Sequence, residues 1–319
     1  MTYREAGVDL AGAERHVATI ASSVTATWTD NVVGGFGGFA AGVTIPAGYS
    51  NPVLMMSTDS VGTKLQLARQ SGIWAGVGFD VVAMCVDDLT AVGARPLGFV
   101  DYMAVGSLHA ERDAAIVDSV ARACLEAGCA LLGGETAEHP GVMDDDAVDL
   151  AGAVMGVVDK GDEFSRDRVV PGDVVIGLHS PNLRSNGFSL VRHVMGESPD
   201  YETLLEPSVI YSPSVLSVSS LIKSAAHITG GGLPGNLPRA VPDSLGVEVD
   251  SAKWTPPEIF STLSRLGIGQ EDMFSTFNMG IGFCLIVDRD DVEQVIESLS
   301  RHDPSAIGQV IDSTGFTLK

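Results

Sequence analysis

The sequence is short of positive charge. It has 19 lysine and arginine residues against 41 aspartate and glutamate residues, which gives a formal net charge of −22 over 319 residues. Nucleic acids and membrane surfaces are polyanions, so this imbalance argues against both as partners. A site for a phosphate group must therefore be made locally attractive by a metal ion, a cationic side chain or backbone N–H groups.

Long apolar runs and paired cysteines are also lacking. No apolar run approaches the roughly 18 residues of a membrane span, and the start, MTYREAGVDL, does not have the basic and then apolar pattern of a secretory signal. The four cysteines form no C-x-x-C pair and lie in apolar segments, so we expect buried thiols in the cytoplasm rather than disulfides or a zinc site. They are Cys85, Cys124, Cys129 and Cys284.

The sequence has enough apolar residues for two ordinary domains. It is 45% hydrophobic and contains 37 glycines. Strand and helix patterns in both halves favour an α/β protein in which each domain has a mixed sheet and packed helices. The charged, turn-rich stretch 160–173 is the best candidate for a boundary. We predict an N-terminal domain over residues 1–165 and a C-terminal domain over residues 166–319.

Apolar periodicity and glycine stops predict the main elements of both domains. In the first domain we predict strands at 52–59, 96–104, 129–132 and 149–159, and helices at 72–94 and 108–128. In the second domain we predict strands at 174–179, 283–288 and 307–311, and helices at 212–225, 257–266 and 292–300.

An early glycine cluster is the first candidate for a ligand loop. Glycines let backbone N–H groups approach a ligand closely. The cluster fits neither the dinucleotide-binding fingerprint nor a P-loop, so a plain surface loop is the alternative. Its glycines are Gly34, Gly35, Gly37 and Gly38, on either side of Phe36.

A second candidate follows the first predicted strand. Asp59 comes at the strand end and Lys64 lies five residues further on, with Thr58 and Thr63 beside them. Carboxylate and hydroxyl oxygens suit a magnesium ion, and a lysine suits a phosphate. A polar turn with a solvated lysine is the alternative.

More carboxylates interrupt apolar segments of the first domain. Asp80, Asp87 and Asp88 lie on an otherwise apolar helix, and Glu135 follows two glycines at the end of a short strand. Buried carboxylates are costly unless they are paired or bound to a metal. Helix capping or solvation at an edge is the alternative, and it is weaker for the adjacent pair Asp87 and Asp88.

The second half has two turns that could bind phosphate. The first turn, Arg184-Ser185-Asn186-Gly187, precedes a helix and combines an arginine with backbone N–H groups. The second turn begins at His227, for which a structural and a functional role stay equally open. Its remaining candidates are Thr229, Gly230, Gly231 and Gly232.

Ten short motifs follow one another along nearly the whole chain. They are YREAGVDL, GGFGGF, TDSVGTK, GFDVVAMCVDDL, GARPLGFVDY, GGETAEHPG, SNGFSLVR, LLEPSVIY, HITGGGLPGNLPR and FNMGIGF. In this order they resemble the AIR synthetase family. That family belongs to an ATP-using superfamily with selenophosphate synthetase, thiamine-monophosphate kinase and a hydrogenase-maturation protein.

The resemblance implies both an architecture and a reaction. Two N-terminal sheets would join into a barrel across a homodimer. The enzyme would be an ATP-dependent cyclo-ligase of purine biosynthesis that converts formylglycinamidine ribonucleotide (FGAM) to 5-aminoimidazole ribonucleotide (AIR), with release of ADP and phosphate. The implied cofactors are ATP and Mg²⁺, and a need for K⁺ stays open. The resemblance implies small-molecule substrates, with neither nucleic acid nor membrane as a partner.

The resemblance also implies a role for each matched residue. The expected metal ligands are Asp59, Asp88 and Glu135. The expected catalytic residues are Asp59, Lys64, Asp88 and His227. The expected cofactor-binding set is Gly34, Gly35, Gly37, Gly38, Thr58, Asp59, Thr63, Lys64, Asp87 and Asp88. The expected substrate-binding set is Arg184, Ser185, Asn186, Gly187, Thr229, Gly230, Gly231 and Gly232.

The chain departs from the family pattern at a few positions. Arg184 stands where the family usually has histidine, and Asp87 where it usually has asparagine. If that histidine moves a proton, this chain lacks it, whereas Arg184 can replace it as a phosphate ligand. Two competing interpretations are a phosphotransferase with another acceptor and a non-catalytic paralogue. The retained carboxylates and lysine speak against the paralogue. An NAD-linked oxidoreductase is disfavoured because the dinucleotide fingerprint is missing.

Overall fold

The computed structural model describes residues 10–196 and 199–319. These residues divide into two compact units. The first unit contains the described residues up to Leu89, Arg95–Lys160 and Leu205–Ile210. The second unit contains Thr90–Ala94, the described part of Gly161–Leu204, and Tyr211–Lys319. The YREAGVDL motif, apart from its last residue, lies outside the described residues.

The first unit is built on a mixed sheet. Its elements are α1 (Leu10–Thr25), β1 (Val32–Val33), β2 (Gly42–Val43), β3 (Pro52–Ser60), α2 (Leu65–Ser71), α3 (Val77–Ala91, whose end enters the second unit), β4 (Arg95–Val105), α4 (Ala110–Ala127), β5 (Ala130–Glu138) and β6 (Val148–Asp159). The main sheet has the order β3–β6–β4–β5, in which only the β4–β5 pair is parallel. Strands β1 and β2 form a separate short antiparallel pair.

Helix α3 and the turn after α1 contact the sheet through specific hydrogen bonds. The thiol of Cys85 on α3 lies 3.5 Å from the carbonyl oxygen of Gly152 on β6. At the edge strand β5, the Trp28 indole donates to the carbonyl of Leu131, and the N–H of Leu131 donates to the Thr27 hydroxyl. Partners of this kind protect an edge strand from pairing with another chain.

One face of the sheet carries exposed apolar side chains. On β3, Leu54 is 50% exposed and Met56 is 74% exposed. On β4, Val100 and Tyr102 are 42% and 44% exposed, whereas their neighbour Phe99 is fully buried. Side chains alternate between the two faces of a strand. The face that carries these four side chains is therefore apolar and is left uncovered by the described residues of a single chain.

The second unit contains a larger sheet. Its elements are β7 (Val174–His179), α5 (Phe188–Met195), α6 (Tyr201–Leu204), α7 (Ser212–Ser217), β8 (Ile222–His227), α8 (Gly232–Asn236), β9 (Gly246–Val249), α9 (Glu258–Arg265), α10 (Gln270–Thr276), β10 (Ile281–Val287), α11 (Val292–Ser298), β11 (Ser305–Ile311) and β12 (Gly315–Leu318). The strand order is β12–β9–β11–β7–β10–β8, in which only β12–β9 is parallel. Its core includes Val175, Leu233, Val247 and Ile307.

The prediction of a mixed α/β protein with a sheet and packed helices in each half is confirmed, whereas two predicted helices need correction. The helix predicted at 212–225 was wrong, because α7 ends at Ser217 and Ile222–His227 forms β8. Residues 222–227 form a strand because they pair with β10, which lies some 60 residues further along the chain. Local periodicity does not reveal such a distant pairing partner. The helix predicted at 72–94 begins only at Val77, since Gly72 in the left-handed region ends α2.

The four cysteines are free and buried, as predicted. Within residues 10–196 and 199–319, no helix combines the length and apolarity needed to cross a membrane.

A buried histidine of the second unit should make stability depend on pH. His302 is 5% exposed and lies 5.1 Å from the Tyr211 ring, centroid to centroid. Burial, helped by the charge of Arg301, lowers the pKa of His302 from 6.5 to about 4. The unfolded chain therefore binds a proton between these values while the folded chain does not, so the stabilisation is lost as the pH falls.

We expect His302→Leu to be less sensitive to acid than the unmodified protein. When the pH falls from 7.5 to 5, the free energy of unfolding of the unmodified protein should decrease by about 2 kcal/mol because His302 becomes protonated only in the unfolded chain. Urea unfolding of both proteins at the two pH values measures this difference. An equal loss in both proteins would contradict the prediction.

Candidate active site

Two predicted metal ligands lie close together beside α3. Asp59, near the end of β3, accepts a hydrogen bond at 2.7 Å from the backbone N–H of Ser60. Asp88, on α3, accepts one at 2.9 Å from the hydroxyl of Ser57 on β3. Both carboxylates also affect the thiol of Cys85. Burial is the main cause of its raised pKa, and the negative charges of Asp59 and, to a lesser extent, Asp88 raise this pKa further. The structure therefore brings Asp59 and Asp88 into one neighbourhood, with both only partly buried.

The third predicted ligand, Glu135, lies elsewhere on the sheet. It is exposed on β5, opposite Tyr102 of β4. Strands β3 and β5 are the two edges of the sheet, and a spacing of about 4.8 Å for each of three steps puts them about 14 Å apart. Among the described residues, no three histidine, cysteine, aspartate or glutamate side chains are grouped so as to hold a metal. Asp59 and Asp88 offer oxygens of the type that magnesium prefers, whereas Glu135 does not join them within one chain.

Lys64 lies under the surface and is paired with a buried carboxylate. Its side chain is 1% exposed, and its ammonium lies 2.8 and 2.9 Å from the two carboxylate oxygens of Asp80, which is itself completely buried. Asp80 also accepts from the Ser208 hydroxyl at 2.6 Å, and Lys64 donates to the carbonyl of Glu206 at 3.0 Å. Burial raises the pKa of Asp80, and Lys64 and Ser208 oppose that shift. This ion pair fastens the segment Leu205–Ile210 to the first unit.

The remaining predicted residues of this region take different positions. Asp87 is fully buried on α3. Thr58 is exposed and donates to the carbonyl of Gly152 at 2.7 Å, and Thr63 is also exposed. Contact of Lys64, Thr63 and Asp87 with a nucleotide stays a prediction.

The glycine loop borders a cavity of about 630 Å³. Gly35, Gly37 and Gly38 line this cavity, and Glu135 is also one of its lining residues. Gly34 adjoins the loop with a φ of 112°, a conformation that favours glycine. The structure therefore brings the predicted loop and one predicted carboxylate to the same cavity.

Sequence reasoning missed two polar side chains in this cavity. Asp101 on β4 is 8% exposed, and burial raises its pKa to about 7. His16 on α1 is 5% exposed, and burial lowers its pKa although Asp113 opposes the shift. A carboxylate within the apolar run PLGFVDYMA was an available signal for Asp101. His16 gave no signal, because α1 was not predicted.

The glycine-rich turns of the second unit come together around the start of β10. Asn186 Oδ1 lies close to Gly230, and Gly187 with a φ of 81° precedes α5. His227 at the end of β8 stacks on Phe283, at 6.1 Å between ring centroids. The missed residue Asn236 holds the turn at 229–232, because its amide donates to the carbonyls of Gly230 and Gly232.

Arg184 points into the second unit. It is 1% exposed and has a φ of 58°. Its guanidinium donates to the carbonyl of Gly282 at 3.1 Å and lies 5.0 Å from the centre of the Tyr211 ring. These contacts give Arg184 a packing role, and its binding of phosphate stays a prediction.

Both halves of the chain match known protein families and relatives. The family models for the N-terminal and C-terminal domains of AIR synthase related proteins match residues 37–158 and 170–319. A phosphoribosylformylglycinamidine cyclo-ligase from Prochlorococcus marinus (strain MIT 9313) is 43% identical over 341 residues, which cover 100% of this chain and 99% of the relative. One from Clostridium perfringens (strain ATCC 13124) is 42% identical over 316 residues, which cover 96% and 95%.

Solved structures with lower identity share the fold. Thiamine-monophosphate kinase from Stenotrophomonas maltophilia K279a has a TM-score of 0.66 at 21% identity, with 98% of this chain and 97% of that chain covered. The hydrogenase maturation protein HypE from E. coli has a TM-score of 0.69 at 16% identity, with 96% and 93% covered. The resemblance drawn from the ten motifs is confirmed. The chain belongs to the AIR synthase-related protein family.

Proposed function

We propose that this protein catalyses the ATP-dependent ring closure of FGAM to AIR, with release of ADP and phosphate, in purine biosynthesis. The observation that carries the proposal is the identity of 42–43%, over nearly the whole chain, to relatives named phosphoribosylformylglycinamidine cyclo-ligase. ATP phosphorylates the formyl oxygen of FGAM, a substrate nitrogen attacks the activated carbon, and phosphate leaves as the ring closes. Such a reaction needs positioning and charge neutralisation more than a covalent nucleophile.

The first unit supplies the groups suited to the nucleotide. Magnesium, when bound, neutralises charge on the transferred phosphoryl group. Asp59 and Asp88 would hold it, because their carboxylates are neighbours and are oriented by Ser60 and Ser57. Glu135 and the backbone N–H groups of the glycine loop would contact the nucleotide from the cavity. We assign residues 1–165 to ATP binding and dimerisation.

We assign residues 166–319 to completing the substrate site. The turns at 184–187 and 229–232 offer backbone N–H groups for the ribose phosphate of FGAM. His227 borders the second turn and is the candidate there for moving a proton. The retention of both turns in the family order supports this assignment.

We also propose a cytoplasmic homodimer in which two N-terminal sheets form a barrel. The exposed apolar face with Leu54, Met56, Val100 and Tyr102 supports it, because an uncovered apolar sheet face is suited to burial against a second copy. The free thiols support a reducing compartment. Light scattering should give twice the mass of one chain, and a monomer at micromolar concentration would remove the barrel from the proposal.

Release of ADP from ATP tests the reaction directly. We expect release to require both FGAM and Mg²⁺, to stop on chelation, and to be matched by an equal amount of AIR. Repeating the assay in Na⁺ and in K⁺ buffers decides the need for a monovalent cation. ADP release without FGAM, or with FGAM but without AIR, would contradict ring closure and favour a phosphotransferase with another acceptor.

A further inference from the structure

Two cysteines meet where α4 passes into β5. Gly128 is in the left-handed region, with a φ of 73°, and its N–H donates to the carbonyl of Leu125 at 3.2 Å. The N–H of Cys129 donates to the carbonyl of Cys124 at 3.0 Å. These two bonds form the Schellman arrangement, in which the side chains of the first and last residues commonly pack against each other. In this turn both of those side chains are thiols.

The two thiols are placed so that a disulfide can close between them. A side-chain hydrogen bond joins Cys124 to Cys129. A disulfide forms only where the two Cα atoms lie within about 7 Å of each other and the Cβ atoms face one another. The backbone hydrogen bond between the two residues meets the first condition, and the contact between their thiols meets the second.

The two cysteines differ in their access to solvent. Cys129 is 5% exposed and lines a pocket of about 210 Å³, whereas Cys124 is completely buried and does not line it. Sites for drug-sized ligands usually have roughly 300–1,000 Å³, so this pocket suits only small reagents. Burial raises the pKa of Cys124 well above its ordinary value, which keeps this thiol protonated. A reagent from solvent therefore meets Cys129 first.

We propose that Cys129 is a modification site for small peroxides and that Cys124 is its resolving thiol. The Cys129 sulfur attacks one oxygen of hydrogen peroxide, the O–O bond breaks, and water leaves with the proton of the thiol, which gives a sulfenic acid. The Cys124 sulfur then attacks the Cys129 sulfur, the S–O bond breaks, and a second water leaves with the proton of Cys124. Two electrons pass from the sulfur atoms to the peroxide oxygens, and one disulfide and two waters are formed.

The resolving thiol limits the oxidation of Cys129. A sulfenic acid without a neighbouring thiol is oxidised further to a sulfinic acid, which thiols do not reduce. A disulfide, in contrast, is returned to two thiols by the thiol pool of a reducing compartment. Cys85 is fully buried and lies 3.5 Å from the carbonyl of Gly152, so we expect it to stay a thiol. Oxidation at Cys129 is independent of the proposed ring closure.

Mass spectrometry of the oxidised full-length protein tests the inference. Trypsin cleavage after Arg122 and Lys160 gives a peptide, 123–160, whose only cysteines are Cys124 and Cys129. The folded protein is treated with hydrogen peroxide, the excess is removed with catalase, and the remaining thiols are alkylated with N-ethylmaleimide in denaturant. We expect peptide 123–160 to be lighter than the reduced, unalkylated peptide by about 2 Da and to carry no maleimide. Dithiothreitol before alkylation should restore two maleimides.

Two variants and a matched control assign the roles. Cys124→Ala removes the resolving thiol, so peptide 123–160 should become heavier by about 32 Da as Cys129 is oxidised to a sulfinic acid. Cys129→Ala should leave Cys124 as a thiol that takes up maleimide. Cys284→Ala removes a fully buried thiol of the second unit and should not change the loss of about 2 Da.

Other products would overturn the inference. Maleimide on both cysteines of peptide 123–160, under conditions that fully oxidise free glutathione, would show that the pocket does not admit peroxide. A link between peptides 123–160 and 70–112 would show that Cys85 is the partner instead of Cys124. Should Cys124→Ala fail to fold, peptide 123–160 of the unmodified protein decides alone, because the disulfide, the sulfinic acid and the linked peptide differ in mass.

Discussion

Lys64→Met is expected to lower the free energy of unfolding by about 3–5 kcal/mol. The substitution keeps much of the side-chain volume but leaves Asp80 completely buried without its cation. The two hydrogen bonds from Ser208 to Asp80 remain, and they do not replace a positive charge at 2.8 Å. Urea unfolding at pH 7, followed by tryptophan fluorescence, measures the loss.

Two further variants distinguish the effect of losing this buried ion pair from the effect of replacing any lysine by methionine. Lys319→Met removes the same charge from a surface pair, in which the exposed Lys319 lies 2.8 Å from the partly exposed Glu248, and should change stability by less than about 1 kcal/mol. Lys64→Met combined with Asp80→Leu should recover most of the lost stability, because an apolar pair needs no charge partner. A loss below about 1 kcal/mol for Lys64→Met alone would contradict the structural role.

The same variant also tests the role that the sequence predicted for Lys64. Under conditions where Lys64→Met is fully folded, a raised KM for ATP would support contact with the nucleotide phosphates. An unchanged KM with intact turnover would remove Lys64 from the site and leave it as the anchor of Leu205–Ile210.

Local sequence predicted the features that depend on neighbours in the chain. Gly128 ends α4 in the left-handed region, as a glycine after an amphipathic run predicts. The alternating and apolar patterns of β3, β4 and β6 were likewise readable from local periodicity. Family membership was readable as well, because it rests on the order of whole motifs rather than on packing.

Tertiary partners could not be predicted in this way. The partner of Lys64 lies 16 residues away, and Ser208, which completes the cluster, lies 128 residues from Asp80. The TDSVGTK segment therefore predicted that Lys64 binds phosphate, whereas in the fold the ammonium of Lys64 is paired with the carboxylate of Asp80. The Asp101 carboxylate has room because the residue paired with it on the parallel strand β5 is Gly134. Strand β8 forms because it pairs with β10. The last two cases follow from sheet register and the first from packing between distant segments, neither of which a single sequence reveals.

Under the proposed function, Asp59 and Asp88 explain how a protein of acidic composition binds a nucleotide that carries magnesium. Two neighbouring carboxylates repel each other, so they destabilise the empty protein at this place and attract a divalent cation. Groups arranged for function in this way commonly lower stability. Activity and stability should therefore respond in opposite directions when the charges are removed.

We expect Asp59→Asn and Asp88→Asn each to lower turnover by about 100-fold or more, without lowering the free energy of unfolding. Asparagine keeps the shape of the side chain and can still accept from Ser60 or Ser57, so what is lost is the charge that attracts magnesium. Steady-state assays over a range of Mg²⁺ concentrations, alongside urea unfolding, measure both effects. Ser57→Ala is the matched control, since it removes the hydrogen bond to Asp88 but no charge, and it should reduce turnover by less than about tenfold. A folded double variant with the turnover of the unmodified protein would show that these carboxylates do not serve the reaction.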